Sequence, residues 1–320
     1  MTSQEIRATE LDPEQFIAAQ VAAIKEAIGD GLAINALSGG VDSSVVTMLG
    51  HRALGERLRT CFIENGLMRQ GEPERVVKIF ADMGIPVRLI DAKKEFLGAL
   101  KGLTDPEEKR NAITRTFYAT VFGKLVRETG AKFLLHGTIL TDIEETVAGI
   151  KRQHNILAQI GIDPEKEYGY QVLEPLKTLR KDGVREVAKL LSLPQEITRR
   201  IPFPGPALAT RIVGEVTEER IATVRAATTI VEEELGDTGA FQYMAILLSD
   251  RATGIVNGKR EFGQIIVVRC IHSLDARTAT PVELPWEKLK RICERITAIP
   301  DVNRCLYDLT PKPPATIEYI

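Results

Sequence analysis

The sequence has 320 residues, 44% hydrophobic and 27% charged, which is the composition of an ordinary globular chain with ample apolar mass for a core and length for two domains. Its 42 lysines and arginines against 44 aspartates and glutamates give a net charge of −2, which excludes the basic footprint of a dedicated nucleic-acid-binding protein. We find no apolar run of the ~18 residues that cross a bilayer and no signal-peptide layout, so we expect a cytoplasmic chain with no membrane contact. There is also no C-x-x-C motif, so we expect the cysteines to be buried thiols.

Helix-like and strand-like segments alternate along the first half of the chain. Asp12 and Pro13 open a helix, an apolar run over 32–37 predicts a buried strand, and a second helix starts near Asp42. The same alternation continues with strand-like runs at 58–63, 87–90 and 133–135 and helical patterns at 72–83 and 106–128. This order predicts an α/β fold, with a parallel sheet covered by helices on both faces.

The alternation is interrupted over 147–171, where Lys, Arg, Gln, Asn, Gly and Pro replace the periodic pattern, and we interpret this stretch as a mobile lid. A strand over 172–176 and a helix over 182–191 follow. Residues 201–207 then contain three prolines and a glycine, which neither a helix nor a central strand tolerates. We therefore place the domain boundary there, with domains at 1–201 and 202–320.

The second half has fewer helices than strands and no regular alternation. Helical patterns cover 218–234 and 286–296, and strand-like runs cover 243–248, 264–270 and 304–309. This pattern predicts a small α+β domain.

A Ser/Gly loop lies between the first predicted strand and the second helix, with the sequence Ser38-Gly39-Gly40-Val41-Asp42-Ser43-Ser44. Its glycines allow a tight turn, the helix N-terminus offers N–H groups, and the serines add hydroxyl donors. Neither the Walker A spacing nor G-x-G-x-x-G is present. We predict a polyphosphate cradle in which Asp42 binds Mg²⁺. The alternative is an ordinary turn in which Asp42 caps the helix.

The motif S-G-G-V-D-S resembles the PP-loop of the N-type ATP pyrophosphatases. These enzymes cleave ATP between the α and β phosphates and adenylate a carbonyl oxygen, which a nitrogen or sulfur nucleophile then displaces. Other segments resemble, in order and spacing over almost the whole chain, the ATP pyrophosphatase part of GMP synthetase, and most closely the separate subunit of archaea. These segments are 64–69, 105–110, 136–139, 202–206, 214–216 and 312–318.

The resemblance implies an adenine nucleotide alpha-hydrolase-like (PP-loop) domain followed by a small α+β domain for acceptor binding and dimerisation. It implies an ATP- and Mg²⁺-dependent ligase that adenylates the C2 oxygen of XMP, after which ammonia displaces AMP to give GMP. The chain has neither room for a glutaminase domain nor an N-terminal cysteine motif, so we expect a separate glutaminase subunit as ammonia source, and a homodimer.

Two other functions remain open. A PP-loop paralogue could adenylate a different nucleotide or small molecule for amidation or thiolation. Thiolation is disfavoured because none of the four cysteines lies in a predicted lid or crevice loop. A non-catalytic subunit that only binds a nucleotide would also keep the Ser/Gly loop.

The resemblance also implies roles for individual residues at the ATP side. Besides the Ser/Gly loop, ATP would contact Glu64, Gly137 and Thr138 at the carboxyl ends of strands. Asp142 and Glu145 are three residues apart on a predicted helical turn and could share Mg²⁺ with Asp42, although such a pair is equally common on a solvated turn.

Catalysis is assigned mainly to the lid. Lys151 would neutralise charge on the leaving pyrophosphate, and Asp42 and His154 complete the predicted catalytic set. The alternative for Lys151 is that its charged stretch is simply a solvated surface, as such stretches usually are. The acceptor nucleotide is expected to bind a set of residues that includes the C-terminal motif: Arg200, Gln242, Arg269, Lys312, Thr316, Ile317 and Glu318.

The sequence departs from the family pattern outside the ATP motifs. Gln153 stands where the lid usually has a histidine, Ile201 replaces His or Gln, and Ala207 replaces a glycine. Further differences are Gly183, Arg277, Thr280 and Ile320. Because they gather around the lid and the second domain, these changes favour either a divergent GMP synthetase subunit or a paralogue with another acceptor.

Overall fold

The structure is a computed structural model that describes residues 5–147, 169–198, 200–274 and 276–320, except for the side chains of 145–147. Its contacts divide the chain into two compact units. The first comprises Met1–Glu64, Glu72–Ala92 and Phe117–Arg200, and the second Asn65–Gly71, Lys93–Thr116 and Ile201–Ile320. The last boundary between the two units along the chain lies between Arg200 and Ile201. The predicted domains differ from these units because they assign 65–71 and 93–116 to the first domain. Those two segments join the second unit through contacts with residues far along the chain, which local sequence patterns do not indicate.

The first unit is built on a five-stranded parallel sheet in the order β3-β2-β1-β4-β5. The strands are β1 (Ala33–Ala36), β2 (Leu58–Glu64), β3 (Val87–Asp91), β4 (Phe133–Leu135) and β5 (Gln171–Leu173). The chain adds β2 and β3 on one side of β1 and then β4 and β5 on the other. The strand order therefore reverses between β1 and β4, and open α/β sheets bind ligands outside the carboxyl ends of the strands at such a point. The predicted α/β fold is confirmed.

Helices connect these strands and continue into the second unit. In chain order they are α1 (Pro13–Ile28), α2 (Val41–Leu54), α3 (Glu72–Asp82), α4 (Lys93–Leu100), α5 (Pro106–Arg115), α6 (Gly123–Thr129), α7 (Leu140–Val147), α8 (Lys181–Leu190), α9 (Gln195–Thr198), α10 (Glu218–Leu235) and α11 (Trp286–Thr297). Asp12 caps α1 as predicted, since its carboxylate accepts the Glu14 and Gln15 N–H groups at 3.0 and 3.1 Å. A π-helical turn, Thr116–Phe122, joins α5 to α6 within the predicted helix 106–128. No helix of the described part of the chain is long and apolar enough to span a bilayer.

The second unit contains a four-stranded sheet centred on β7 (Lys259–His272), with β6 (Gln242–Val256) and β8 (Thr280–Pro281) antiparallel to it and β9 (Val302–Tyr307) parallel. Its fully buried centre includes Met244 and Ile246 of β6 and Val267 of β7. β6 and β7 form a hairpin longer than predicted, with Asn257 and Gly258 at φ values of 50° and 77° in the turn. The predicted small α+β architecture is confirmed.

Candidate functional site

The Ser/Gly loop joins β1 to α2 and has its polar groups arranged around two serines. The hydroxyl oxygens of Ser38 and Ser43 are 2.9 Å apart, and the Ser43 hydroxyl donates to the Gly40 carbonyl at 3.1 Å. The Gly40 N–H points to Ser38 Oγ at 3.4 Å. Gly40, which has no side chain to supply a cap, is the N-cap residue of α2, and Asp42 lies inside the first turn. The helix start therefore presents hydroxyls and backbone N–H groups together, as an anion site requires, and Asp42 is not its cap.

A buried polar network fixes this helix start to the sheet. The Thr47 hydroxyl donates to the Ser43 carbonyl at 2.8 Å and accepts from the Asn35 side-chain amide at 2.6 Å. Thr60 of β2 donates to the Asn35 side-chain oxygen at 2.8 Å. Asn35, Thr47 and Thr60 are all buried, so the network holds the loop rigidly at the end of β1. The signal in the sequence was Asn35, a polar residue inside an apolar run.

The segment after β4 presses on the same helix start. A Cβ atom on Gly137 would lie 3.2 Å from the Ser43 nitrogen and 3.3 Å from the Asp42 carbonyl carbon, so only glycine fits without displacement. Gly137 is thus brought beside the Ser/Gly loop, as predicted from sequence. Glu64 lies at the end of β2, where its side chain is mostly buried and its carbonyl accepts the Ala92 N–H at 2.9 Å.

Thr138 belongs to a chain of hydrogen bonds that sequence analysis did not predict. Its hydroxyl donates to the Glu174 carboxylate at 2.6 Å, so His136 Nδ1, 2.9 Å from the same hydroxyl, acts as donor. His136 Nε2 then accepts from the Tyr118 hydroxyl at 3.4 Å. Burial lowers the pKa of His136, although Glu174 and Asp142 oppose this effect. A neutral histidine with a defined tautomer therefore supports the segment that contacts Asp42 and Ser43.

Asp42 combines burial with one cationic partner. Lys181 Nζ donates to Asp42 Oδ2 at 2.6 Å. Burial raises the pKa of Asp42, Lys181 lowers it in part, and the Asp142 carboxylate adds to the rise. Oδ1 is buried and makes no hydrogen bond to any residue that the structure describes. An unpartnered carboxylate oxygen is costly to bury, and a hard cation is the partner that removes this cost.

These carboxylates fit Mg²⁺. Asp142 Oδ2 accepts the Ile139 N–H at 3.0 Å, and its charge acts on Asp42. Glu145 follows on α7, and its side chain lies outside the described residues. Among the described residues no group of three or more His, Cys, Asp or Glu side chains could hold a metal. Mg²⁺ usually takes one or two carboxylates together with substrate phosphates, so a site with two protein carboxylates is compatible with this ion.

Arg200 also lies at the Ser/Gly loop. Its Nη1 donates to the Gly39 carbonyl at 3.1 Å, and its Nη2 pairs with the Glu72 carboxylate. The resemblance groups Arg200 with the acceptor-binding residues, but in the structure its side chain is in the first unit with the ATP-side motif.

In the second unit, the predicted acceptor residues Gln242 and Glu318 are brought together. The Gln242 amide donates to one Glu318 oxygen, and Arg211 Nε donates to the other at 3.4 Å. Arg211 is 1% exposed, and its guanidinium lies 4.8 Å from the centre of the Phe203 ring. Sequence analysis missed Arg211, because its partner Glu318 is more than one hundred residues away.

Three further predicted acceptor residues form hydrogen bonds within the C-terminal segment or with residues that contact it: Arg269, Lys312 and Thr316. Arg269 donates to the Asp308 carboxylate at 2.5 Å and to the carbonyls of Thr310 and Thr316 at 2.9 and 3.0 Å. Lys312 Nζ donates to the Ala276 carbonyl at 2.7 Å, and the Thr316 hydroxyl donates to the Glu318 carbonyl. Residues 308–318, which include the half-buried Ile317, are thus ordered by these contacts.

The remaining predictions concern the lid and the atypical positions. Lys151, Gln153 and His154 lie outside the described residues, as does 148–168 of the predicted lid 147–171. The lid was predicted one residue too far at its end, because Gln171 begins β5. Ala207 has a φ of 54° and is buried, so the left-handed conformation that favours glycine is kept here by an alanine. The structure gives no reason for the differences at Arg277, Thr280 and Ile320.

Comparisons with known proteins identify close relatives. A family model described as GMP synthase C terminal domain matches residues 229–319. Several relatives are named as B subunits of glutamine-hydrolyzing GMP synthase. The chain is 51% identical to the one from Archaeoglobus fulgidus, over 97% of this chain and 100% of that protein. It is 49% identical to the one from Thermococcus kodakarensis, over 96% and 99%. Among solved structures, an NH3-dependent NAD synthetase from Campylobacter jejuni, in complex with the nitrate ion, matches at 18% identity and a TM-score of 0.48, over 59% of this chain and 77% of that one.

Proposed function

This chain belongs to the family of GMP synthase B subunits, and on that premise we propose how its residues carry out the ATP-dependent amination of XMP to GMP. The observation that carries the proposal is the pairing of the Ser/Gly loop with the unpartnered oxygen of Asp42 at the carboxyl edge of the parallel sheet. One side of this loop suits phosphate oxygens, and the carboxylate suits the cation that accompanies them. The departures from the family pattern, such as Ile201 and Ala207, do not remove the chain from the family.

We assign ATP to the Ser/Gly loop. When ATP binds, the Ser38 and Ser43 hydroxyls turn their protons from each other and from the Gly40 carbonyl to phosphate oxygens. The first N–H groups of α2 bind the same oxygens, because the helix N-terminus carries a partial positive charge. Val41 and Ser44 lie in the same turn, and Gly137 packs against it. We propose that Glu64 and Thr138, which follow or end neighbouring strands, also contact ATP. In the first step the C2 oxygen of XMP attacks the α phosphorus, and the bond to the β-phosphate oxygen breaks with its electron pair on pyrophosphate. The loop stabilises the negative charge that the leaving group gains.

Mg²⁺, when bound, neutralises phosphate charge and orients the triphosphate. Asp42 and Asp142 hold it, and Glu145 is the further proposed ligand. Lys151 and His154 are proposed to act on the leaving pyrophosphate, and both stand where the family has its lid.

In the second step ammonia attacks C2, AMP leaves with the former C2 oxygen, and the added nitrogen loses a proton. Catalysis therefore depends on charge and position, without a covalent protein intermediate.

The acceptor is assigned to the second unit. We propose that XMP contacts Gln242 and Glu318, which are already joined by a hydrogen bond, and the C-terminal residues Lys312, Thr316 and Ile317. Arg269 supports this segment by its bonds to the backbone at Thr310 and Thr316. The relatives are named as B subunits of a glutamine-hydrolyzing enzyme, so we propose a separate subunit that releases ammonia from glutamine. We also propose that the chain forms a homodimer.

The test uses the purified chain alone with ATP, MgCl₂, XMP and an ammonium salt. GMP, AMP and pyrophosphate should form in equal amounts. A chain that released pyrophosphate only with another acceptor would contradict XMP as substrate, and one that released none under any condition would only bind nucleotide. Lys151→Ala should abolish turnover, whereas Lys189→Ala, which removes an exposed partner of Glu186, should not.

A further inference from the structure

Arg200 is the last residue of the first unit, and its guanidinium spans two acceptors at the Ser/Gly loop, the Gly39 carbonyl and the Glu72 carboxylate. We propose that Arg200 is a positioning residue that holds this loop in its ATP-binding form, and that it does not contact the acceptor nucleotide. The inference rests on the proposed function, because it assumes that the loop binds the phosphates of ATP.

The first step of the argument concerns the peptide plane between Gly39 and Gly40. A trans peptide is planar, so its carbonyl and its N–H point in nearly opposite directions. Arg200 binds the carbonyl of this peptide, and the N–H lies on the side of the Ser38 hydroxyl. By fixing the carbonyl, Arg200 keeps the N–H on the hydroxyl side. A carbonyl turned to that side would instead repel the oxygens of a polyphosphate.

The second step concerns what holds Arg200. Glu72, at the start of α3, is 4% exposed, and its carboxylate pairs with Nη2 while Nη1 reaches Gly39. An arginine fixed by a buried carboxylate presents its second nitrogen in a defined direction, because the guanidinium is planar. A lysine, with a single ammonium on a flexible stem, does not reproduce this geometry.

The third step concerns space. Gly39 has a φ of 76°, and a Cβ atom there would lie 2.7 Å from Arg200 Nη1 and 2.8 Å from a methyl carbon of Val76. The loop backbone and the guanidinium are therefore in direct contact. The conformation of Gly39 and the position of Arg200 depend on each other, which is the property expected of a positioning residue.

The experiment compares Arg200→Ala, Arg200→Lys and Glu72→Gln with the unmodified chain. We expect Arg200→Ala to raise the KM for ATP roughly tenfold or more, the factor that one lost charge-assisted hydrogen bond produces, with the KM for XMP within about twofold. Arg200→Lys should restore little, and Glu72→Gln should give an intermediate effect. The matched control is Arg57→Ala, since Arg57 also donates to glycine carbonyls of the first unit, those of Gly29 and Gly31. Its KM for ATP should not change.

Binding of α,β-methylene-ATP, measured by calorimetry without XMP, separates failure of this inference from failure of the proposed function. Weaker analogue binding by the Arg200 and Glu72 variants supports the inference even if no GMP forms. A raised KM for XMP with unchanged ATP binding would overturn it and return Arg200 to the acceptor site. Full restoration by Arg200→Lys, or an equal effect of Arg57→Ala, would also overturn it, because charge alone or general stability would then explain the loss.

Discussion

Lys181 Nζ lies 2.6 Å from Asp42 Oδ2, while Oδ1 of the same carboxylate has no hydrogen-bond partner among the described residues. One oxygen is thus held by a cation of the chain, and we propose that the other binds the Mg²⁺ that accompanies ATP. Burial raises the pKa of Asp42, and Lys181 limits that rise. The ion pair therefore keeps Asp42 ionised at a pH where the buried carboxylate alone would begin to take up a proton.

The first prediction follows from this pair. Lys181→Met removes the group that lowers the pKa of Asp42, so the acid limb of the pH profile of pyrophosphate release should move to higher pH. Lys189→Met, on the same helix but paired with Glu186 at the surface, is the control and should leave the acid limb in place. An unchanged acid limb in Lys181→Met would show that Asp42 does not have to be ionised or that Lys181 does not keep it so.

The second prediction tests the contact behind the loop. Gly137→Ala places a Cβ atom 3.2 Å from the Ser43 nitrogen, so the start of α2 must shift. A shift of a few tenths of an ångström in a phosphate site should lower kcat/KM for ATP by roughly tenfold or more. Gly98→Ala, with no described atom within 4 Å of the new methyl group, should leave kinetics unchanged and slightly stabilise α4. Normal kinetics in Gly137→Ala would mean that this contact does not set the loop position.

The third prediction concerns His136. Burial lowers its pKa below the ordinary 6.5, so below pH 6.5 the unfolded chain binds a proton that the folded chain does not. The unfolding free energy of the wild type should therefore fall more steeply than that of His136→Gln between pH 7 and 5, by at most about 2 kcal/mol at pH 5. Denaturant titrations at each pH measure this difference. Parallel curves for the two proteins would contradict it.

The fourth prediction concerns the pair of Arg211 and Glu318. Glu318→Gln removes the carboxylate from the buried Arg211 guanidinium, and the lost charge-assisted hydrogen bond should cost about 2 kcal/mol of stability. It should also raise the KM for XMP while the KM for ATP stays unchanged. Glu287→Gln breaks an exposed pair with Lys290 and should cost less than about 0.5 kcal/mol. Equal stability of the two variants would contradict the stabilising role of the Arg211–Glu318 pair. A raised KM for ATP with an unchanged KM for XMP would contradict the assignment of Glu318 to the acceptor.

Sequence patterns predicted the parallel sheet and the Ser/Gly loop because both depend on short segments. An apolar run of strand length followed by two glycines and a helix start is a local signal, and β1 and α2 lie where it places them. The outer halves of β6 and β7 were missed because exposed strands carry polar residues without a clear alternation. The Asn257-Gly258 turn was the signal that could have extended them.

The partners of the site residues could not be predicted in the same way. Glu174 reaches Thr138 and Lys181 reaches Asp42 only because β4 and β5 lie beside the central strand β1 in one sheet and the chain after β5 continues into α8. Arg200 was assigned to the acceptor by the resemblance, whereas its contacts with Gly39 and Glu72 depend on folding. The residue types of the Ser/Gly loop were enough to predict phosphate and cation binding. Which side chains hold the loop residues in place depends on the tertiary structure.

Isotope transfer tests the central claim most directly, because the claim is that this chain adenylates the C2 oxygen of XMP. XMP labelled with ¹⁸O at C2 is incubated with the purified chain, ATP, MgCl₂ and ammonium, and AMP, pyrophosphate and GMP are analysed by mass spectrometry. The mechanism predicts one ¹⁸O in the phosphate of AMP for each GMP formed, and none in pyrophosphate. Unlabelled AMP, or label in pyrophosphate, would contradict it.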